Sequence, residues 1–200
     1  MPSLTNVYLR EAFAYKYDVI ITGSTHFILF SRIDIGALSS LPYYSKHNPN
    51  ANVCSLDDLV TLDSDVTVII FNYLLLNSPS FTVLDLSRFK SVRRIEVGDE
   101  SFMYVTMVNM TGLSELESVE IGENSFVKKR RGSDPNRHFY LKNCPKLKSL
   151  KMGRYSFNDY TVIEIENCSL ESIEMGDLNE DGYNFRYASL ELKSILIQSE

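Results

Sequence analysis

Along the second half of the chain, apolar and polar positions recur in one order: apolar-x-x-apolar-x-apolar-Gly. VRRIEVGDESF begins at Val92, LESVEIGENSF at Leu116, LKSLKMGRYSF at Leu147 and LESIEMGDLNE at Leu170. Gly98, Gly122, Gly153 and Gly176 close the four copies, and in three of them a Ser-Phe pair follows, ending on Phe102, Phe126 and Phe157. Alternation such as Val119-Glu120-Ile121 or Leu150-Lys151-Met152 is the period of a strand with one face turned inward. The pattern predicts a short strand in each copy, ended by a glycine that permits a sharp bend.

Weaker copies begin at Leu4, Phe30, Val66 and Leu192, so the starts fall at 4, 30, 66, 92, 116, 147, 170 and 192. Strands running the same way at such intervals need a crossover, and one turn of a solenoid supplies it. Layers about 4.8 Å apart share a core that no single layer could make. A second apolar pair recurs halfway round each turn: Leu84/Leu86, Val108/Met110, Phe139/Leu141 and Ile163/Ile165. Its period of two, with β-branched and aromatic residues around it, predicts short extended segments on the convex side and little helix. Phe102, Phe126 and Phe157 should then stack as an aromatic spine.

The stretch Leu116–Phe126 matches L-x-x-L-x-L-x-x-N-x-L at every position, Asn124 included. The chain therefore resembles leucine-rich-repeat proteins over nearly its whole length. With Gly-x-x-Ser-Phe added, it looks closest to the BspA-like repeats of bacterial surfaces and protists. The resemblance implies one array over residues 1–200: a solenoid with a parallel concave β-sheet and a binding surface for a protein or peptide along that sheet. One departure stands out. The consensus asparagine occurs at Asn124, while the equivalent positions hold Ala12, Leu38, Leu74, Glu100, Tyr155 and Leu178. The asparagine ladder that satisfies backbone groups in that family must be replaced by something else.

Two intervals are too long, and insertions in solenoids map to loops. One falls near 39–55. The other falls at 128–137, KKRRGSDPNR, the one concentrated basic patch. That loop reads either as a docking site for an acidic peptide or, more plainly, as a solvated loop. On the exposed strand face one column reads Glu96, Glu120, Lys151, Glu174. Its neighbour, Arg93, Glu117, Lys148, Glu171, Lys193, alternates in sign, which favours correct stacking register. The residues expected to meet a partner on the concave face are Arg94, Glu96, Ser118, Glu120, Ser149, Lys151, Ser172 and Glu174. Lys128, Lys129, Arg130 and Arg131 are a secondary contact.

Composition removes other classes. Twenty basic against 26 acidic side chains leave a net charge of −6, which disfavours nucleic acid and anionic membranes as partners. No apolar run is long enough to span a bilayer and the N-terminus lacks a signal-peptide pattern, so a cytoplasmic, reducing location is expected. Three cysteines, Cys54, Cys144 and Cys168, are too few for a disulfide framework. Cys144 and Cys168 follow asparagines at matching places and are expected as free thiols at a buried ladder position. His26, His47 and His138 sit far apart, and Asp63-Ser64-Asp65 lacks the glycine of a calcium loop. Asn109 and Asn167 begin formal glycosylation sequons inside the repeat pattern. No metal, cofactor or catalytic group is expected. The expected function is a non-catalytic protein-interaction scaffold. The alternative is an assembly module, part of a longer array, forming homo-oligomers edge to edge through uncapped terminal strands.

Overall fold

A computed structural model describes residues 50–128, 131–176 and 182–193, together with the strand segments β1 (Asn6–Val7), β2 (Val19–Thr22) and β3 (His26–Phe27). After β4 (Asn50–Val53) comes α1 (Leu56–Thr61), the one helix among the described residues. Ser55 caps it: its Oγ accepts from the Asp58 N–H at 3.2 Å, while the Asp58 carboxylate accepts from the Cys54 N–H at 3.0 Å. From there the elements are all strands: β5 (Val68–Phe71), β6 (Val83–Asp85), β7 (Arg94–Val97), β8 (Met107–Thr111), β9 (Ser118–Ile121), β10 (His138–Cys144), β11 (Ser149–Met152), β12 (Val162–Cys168), β13 (Ser172–Met175) and β14 (Ser189–Lys193).

From β5 onward the strands alternate between two six-stranded sheets. Sheet I has the order β13-β11-β9-β7-β5-β4 and sheet II the order β2-β14-β12-β10-β8-β6. Every pairing is parallel. The register keeps equivalent residues side by side. In sheet I, Ile69, Ile95, Val119, Leu150 and Ile173 form one inward column, and Phe71, Val97, Ile121, Met152 and Met175 the next. In sheet II, Leu84, Val108, Phe139, Ile163 and Leu190 are aligned, as are Met110, Leu141, Ile165 and Leu192. All of these are buried and belong to one continuous core. The second apolar pair of each copy thus forms a full parallel sheet, as its period of two predicts.

Phe102, Phe126 and Phe157 do stack, with centroids 4.9 and 4.6 Å apart and nearly parallel planes. Phe71 closes one end edge-on at 5.1 Å, and Phe139 packs on Phe157 at 4.7 Å. The column has a fourth member the repeat pattern hid. Phe185 lies 5.7 Å from Phe157, displaced along the sequence by residues 177–181, which fall outside the described set.

The glycine after each of β7, β9, β11 and β13 spares a Cβ clash, as expected, while the left-handed backbone of the bend belongs mainly to other residues. Of the four repeat glycines only Gly176 has positive φ; after Gly98, Gly122 and Gly153 the left-handed residues come two and four positions on. Glu100, Asn124 and Tyr155 have φ of 56°, 55° and 65°, and Phe102, Phe126 and Phe157 of 62°, 56° and 56°. Such backbone costs roughly 1–2 kcal/mol per non-glycine residue. It is held because each turn hydrogen-bonds in both directions. The N–H groups of Glu100 and Asn124 donate to the carbonyls of Glu123 and Arg154 in the following layer, both at 2.8 Å. Those of Phe102 and Phe126 donate to Leu75 and Ser101 in the preceding layer, at 2.9 and 2.8 Å. The glycines are required instead by close stacking. A Cβ on Gly98, Gly122 or Gly153 would sit 2.6, 2.6 or 2.5 Å from the backbone nitrogen of Tyr73, Asp99 or Glu123.

The replacement for the asparagine ladder lies between the two left-handed residues. The buried hydroxyls of Ser101, Ser125 and Ser156 donate to the carbonyls of Asn72, Gly98 and Gly122 at 3.0, 2.8 and 2.6 Å. Asn184 takes the same place in the last layer, its amide donating to the Gly153 carbonyl at 2.7 Å. The position equivalent to the consensus asparagine in that layer is Tyr183, not Leu178: its φ is 54° and its ring stacks on Tyr155 at 5.1 Å.

Three further expectations change. Leu192 does not begin a sheet I strand: it lies in β14 opposite Ile165, because Ser189–Lys193 buries Leu190 and Leu192 on the Ile163/Ile165 column. Within the insertion placed at 39–55, residues 50–53 are strand β4 of sheet I, and 39–49 lie outside the described residues. Of the copy at Leu4 the described part is β1, and the copy at Phe30 lies outside the described residues; β1 pairs with β3, and β2 pairs with β14, at the opposite end of sheet II from β6.

Candidate interaction surface

The outward side chains of sheet I form two ladders set by the same register. Arg94, Ser118, Ser149 and Ser172 make one, and Glu96, Glu120, Lys151 and Glu174 the other. All eight expected partner-binding residues therefore share one face of four adjacent strands. They are not equivalent. The three serines are half-buried in a line flanked by longer charged side chains, while Glu96 is only 6% exposed. Arg94 pairs with Glu96 and reaches Glu120 at 3.8 Å. Burial raises the Glu96 carboxyl above its usual range; Arg94 opposes this and the like charge of Glu120 adds to it. Glu96 thus serves the face from beneath, and the accessible members of its ladder are Glu120, Lys151 and Glu174. Lys151 lies 3.8 Å from Glu174.

In the neighbouring column Lys148 and Glu171 pair at 3.3 Å, in keeping with charges meeting across adjacent strands. Lys193, expected to continue that column, instead stands on β14 and pairs with Glu191 at 2.8 Å.

The basic loop divides. Lys128 and Arg131 are exposed; Lys129 and Arg130 lie outside the described residues. Arg137, the last cation of the stretch, is 1% exposed and pairs with the fully buried Asp159 at 2.8 Å. Its guanidinium also donates to the carbonyls of Met103 and Val105 at 2.9 and 2.7 Å and lies over the Tyr160 ring. The Tyr160 hydroxyl donates to the same Val105 carbonyl at 2.7 Å. Arg137 is therefore the anchor that ties the end of the insertion to two other layers. Sequence reading missed it because it looks like one more loop cation.

Sheet II carries a second polar face that the sequence pattern did not single out. Lys142 bridges Glu164 and, at 3.5 Å, Glu166. The hydrogen bond to Glu164 holds its ammonium above the usual lysine range. His138 and Tyr140 contact at 3.1 Å beside it. Asn109, the first sequon residue, donates to Asp85 at 3.1 Å, and Asn167 donates to Asn143 at 2.8 Å. Asn143 and Asn167 are left-handed, at φ of 55° and 52°, which brings Cys144 and Cys168 opposite each other as free thiols. The Cys168 thiol is pushed up by its hydrogen bond with Cys144 and by burial.

Among the described residues no three His, Cys, Asp or Glu side chains gather as a metal site, and no helix is long and apolar enough to cross a membrane. No protein family, curated protein or solved structure matches the chain.

Proposed function

We propose that the chain is a non-catalytic interaction scaffold: a leucine-rich-repeat-like solenoid that binds a protein or peptide along the outward face of sheet I. The observation that supports this is the in-register ladder Ser118, Ser149, Ser172 beside Glu120, Lys151, Glu174. It offers a line of small hydroxyl side chains flanked by charges at a constant strand spacing. An extended ligand crossing the strands meets the same chemistry about every 4.8 Å. Hydroxyls supply adaptable hydrogen bonds, and the charge order Glu-Lys-Glu sets which partner sequence is favoured.

The test is a charge reversal of Glu120, Lys151 and Glu174 together, with the partner list from affinity capture compared with that of the parent chain. The three side chains are half-buried, so circular dichroism checks that the reversed variant keeps the parent fold. Loss of partners supports the reading; an unchanged partner list assigns binding to another face.

A further inference from the structure

One end of the stack is formed by β4, α1, β5 and β6. Among the described residues β4 has β5 as its one strand neighbour there and β6 has β8, just as β13 and β2 are edge strands at the other end. β6 leaves a row of backbone groups with no described strand beside it, the usual template for an added strand. Seven large apolar side chains are exposed among the described residues, and five of them, Leu56, Val60, Tyr73, Leu74 and Val83, belong to the two layers at this end. Tyr73 and Val60 are 72% and 62% exposed. The remaining two, Met103 and Met107, come from the next layer. Isolated exposed hydrophobics are ordinary; five of seven in the two layers at one end of the stack point to an interaction site.

The charge of this end is mainly negative; the cations nearest to it are Arg88, whose guanidinium donates to the Leu59 carbonyl at 2.6 Å, and Lys90, whose charge acts on Asp85. Between Asn50 and Ser87 the sequence holds Asp57, Asp58, Asp63, Asp65 and Asp85 and no lysine, arginine or histidine. All five aspartates are exposed. Val83 and Asp85 alternate on the same side of β6 and are both exposed, so a strand laid beside β6 would meet an apolar position and an acidic one two residues apart. Burial works to raise the Asp85 carboxyl, but hydrogen bonds from Ser87 and Asn109 outweigh it and hold the group below its usual range.

We propose that this end of the stack docks an extended segment of a partner protein in which lysine or arginine alternates with large apolar side chains, added as a strand beside β6. Main-chain hydrogen bonds supply affinity in that mode, and alternate side chains supply specificity. A second copy meeting the same end would bring aspartates against aspartates, which disfavours it. The site is separate from the outward face of sheet I, so the failure of one reading leaves the other standing.

The experiment pans a random 12-residue displayed-peptide library against the full chain, then titrates the enriched peptides and maps them by amide chemical-shift perturbation. The expected result is enrichment of basic-apolar alternation, with shifts confined to residues 50–87. Binding should weaken at least tenfold in the triple variant Asp57→Asn, Asp63→Asn, Asp65→Asn and on raising salt. The same loss should follow Val83→Thr, checked by circular dichroism to fold as the parent. Enrichment without a basic bias, no enrichment, or shifts mapping to another face would overturn the proposal. So would sedimentation showing a dimer that Val60→Asp dissociates, since a second copy would then be the occupant.

Discussion

Replacing Phe157 tests the aromatic column and the left-handed turn at once. The side chain is fully buried, stacked on Phe126 and Phe139 and edge-on to Tyr160 at 4.9 Å. Removing a ring from such a place loses its transfer free energy and leaves a cavity that stacked layers close poorly, so Phe157→Ala should cost about 3–5 kcal/mol. Glycine would ordinarily be worse than alanine in a strand-rich core. At φ of 56° the order reverses, because alanine keeps the Cβ that makes this backbone unfavourable and glycine does not. Phe157→Gly should therefore be more stable than Phe157→Ala by roughly 1 kcal/mol. Urea unfolding with a common slope gives both differences from the midpoints. A loss under about 1.5 kcal/mol for alanine, well below the range for a buried ring, would refute the buried column. Glycine less stable than alanine would refute the left-handed turn.

Other consequences follow from the buried polar groups. Arg137→Ala leaves Asp159 buried without its cation and should cost about 3–5 kcal/mol; a variant within 1 kcal/mol of the parent in urea would mean that the insertion is not anchored there. Glu96 has its carboxyl raised in the folded state, so the folded chain binds the proton more tightly than the unfolded one. Its contribution to stability then falls as pH rises above the ordinary value of 4.5. Glu96→Gln should flatten that slope above pH 4.5, because burial of the acid raises its carboxyl in the folded state. Denaturation midpoints at pH 5 and 7 check it, and an unchanged slope would count against the burial of this group.

The strands of sheet I and sheet II were legible from residue 66 to residue 175 because their apolar alternation is short, regular and repeated, and each copy supports the next. What the text of the sequence concealed was governed by three-dimensional spacing. Phe185 was hidden because residues 177–181 separate it from its glycine, so the repeat seemed to lack its aromatic. Leu192 fits the repeat text in two registers, and only burial beside Ile165 decides between them. The serine ladder was in plain view as Ser101, Ser125 and Ser156. Its role emerged only when each hydroxyl was seen to reach a carbonyl of the layer before. Left-handed leucine, glutamate, tyrosine and phenylalanine run against residue preference, since glycine and asparagine are the usual occupants. The outward ladder of sheet I was found residue for residue, because strand alternation alone fixes which side chains face out. The burial of Glu96 was not, since it depends on neighbours such as Arg94 rather than on period.

The central claim is that sequence-distant copies lie side by side in one register, with insertions looped out of the stack. Spin labels placed on outward serines test this directly, in a chain with Cys54→Ser, Cys144→Ala and Cys168→Ala. Ser118 and Ser149 are 31 residues apart in sequence, and Ser149 and Ser172 are 23 apart, yet each pair occupies adjacent strands. Both labelled pairs should show the same strong dipolar broadening, as backbones about 4.8 Å apart require. Broadening lost in the Ser118/Ser149 pair but kept in Ser149/Ser172 would mean that the insertion breaks the stack; broadening lost in both would contradict the register.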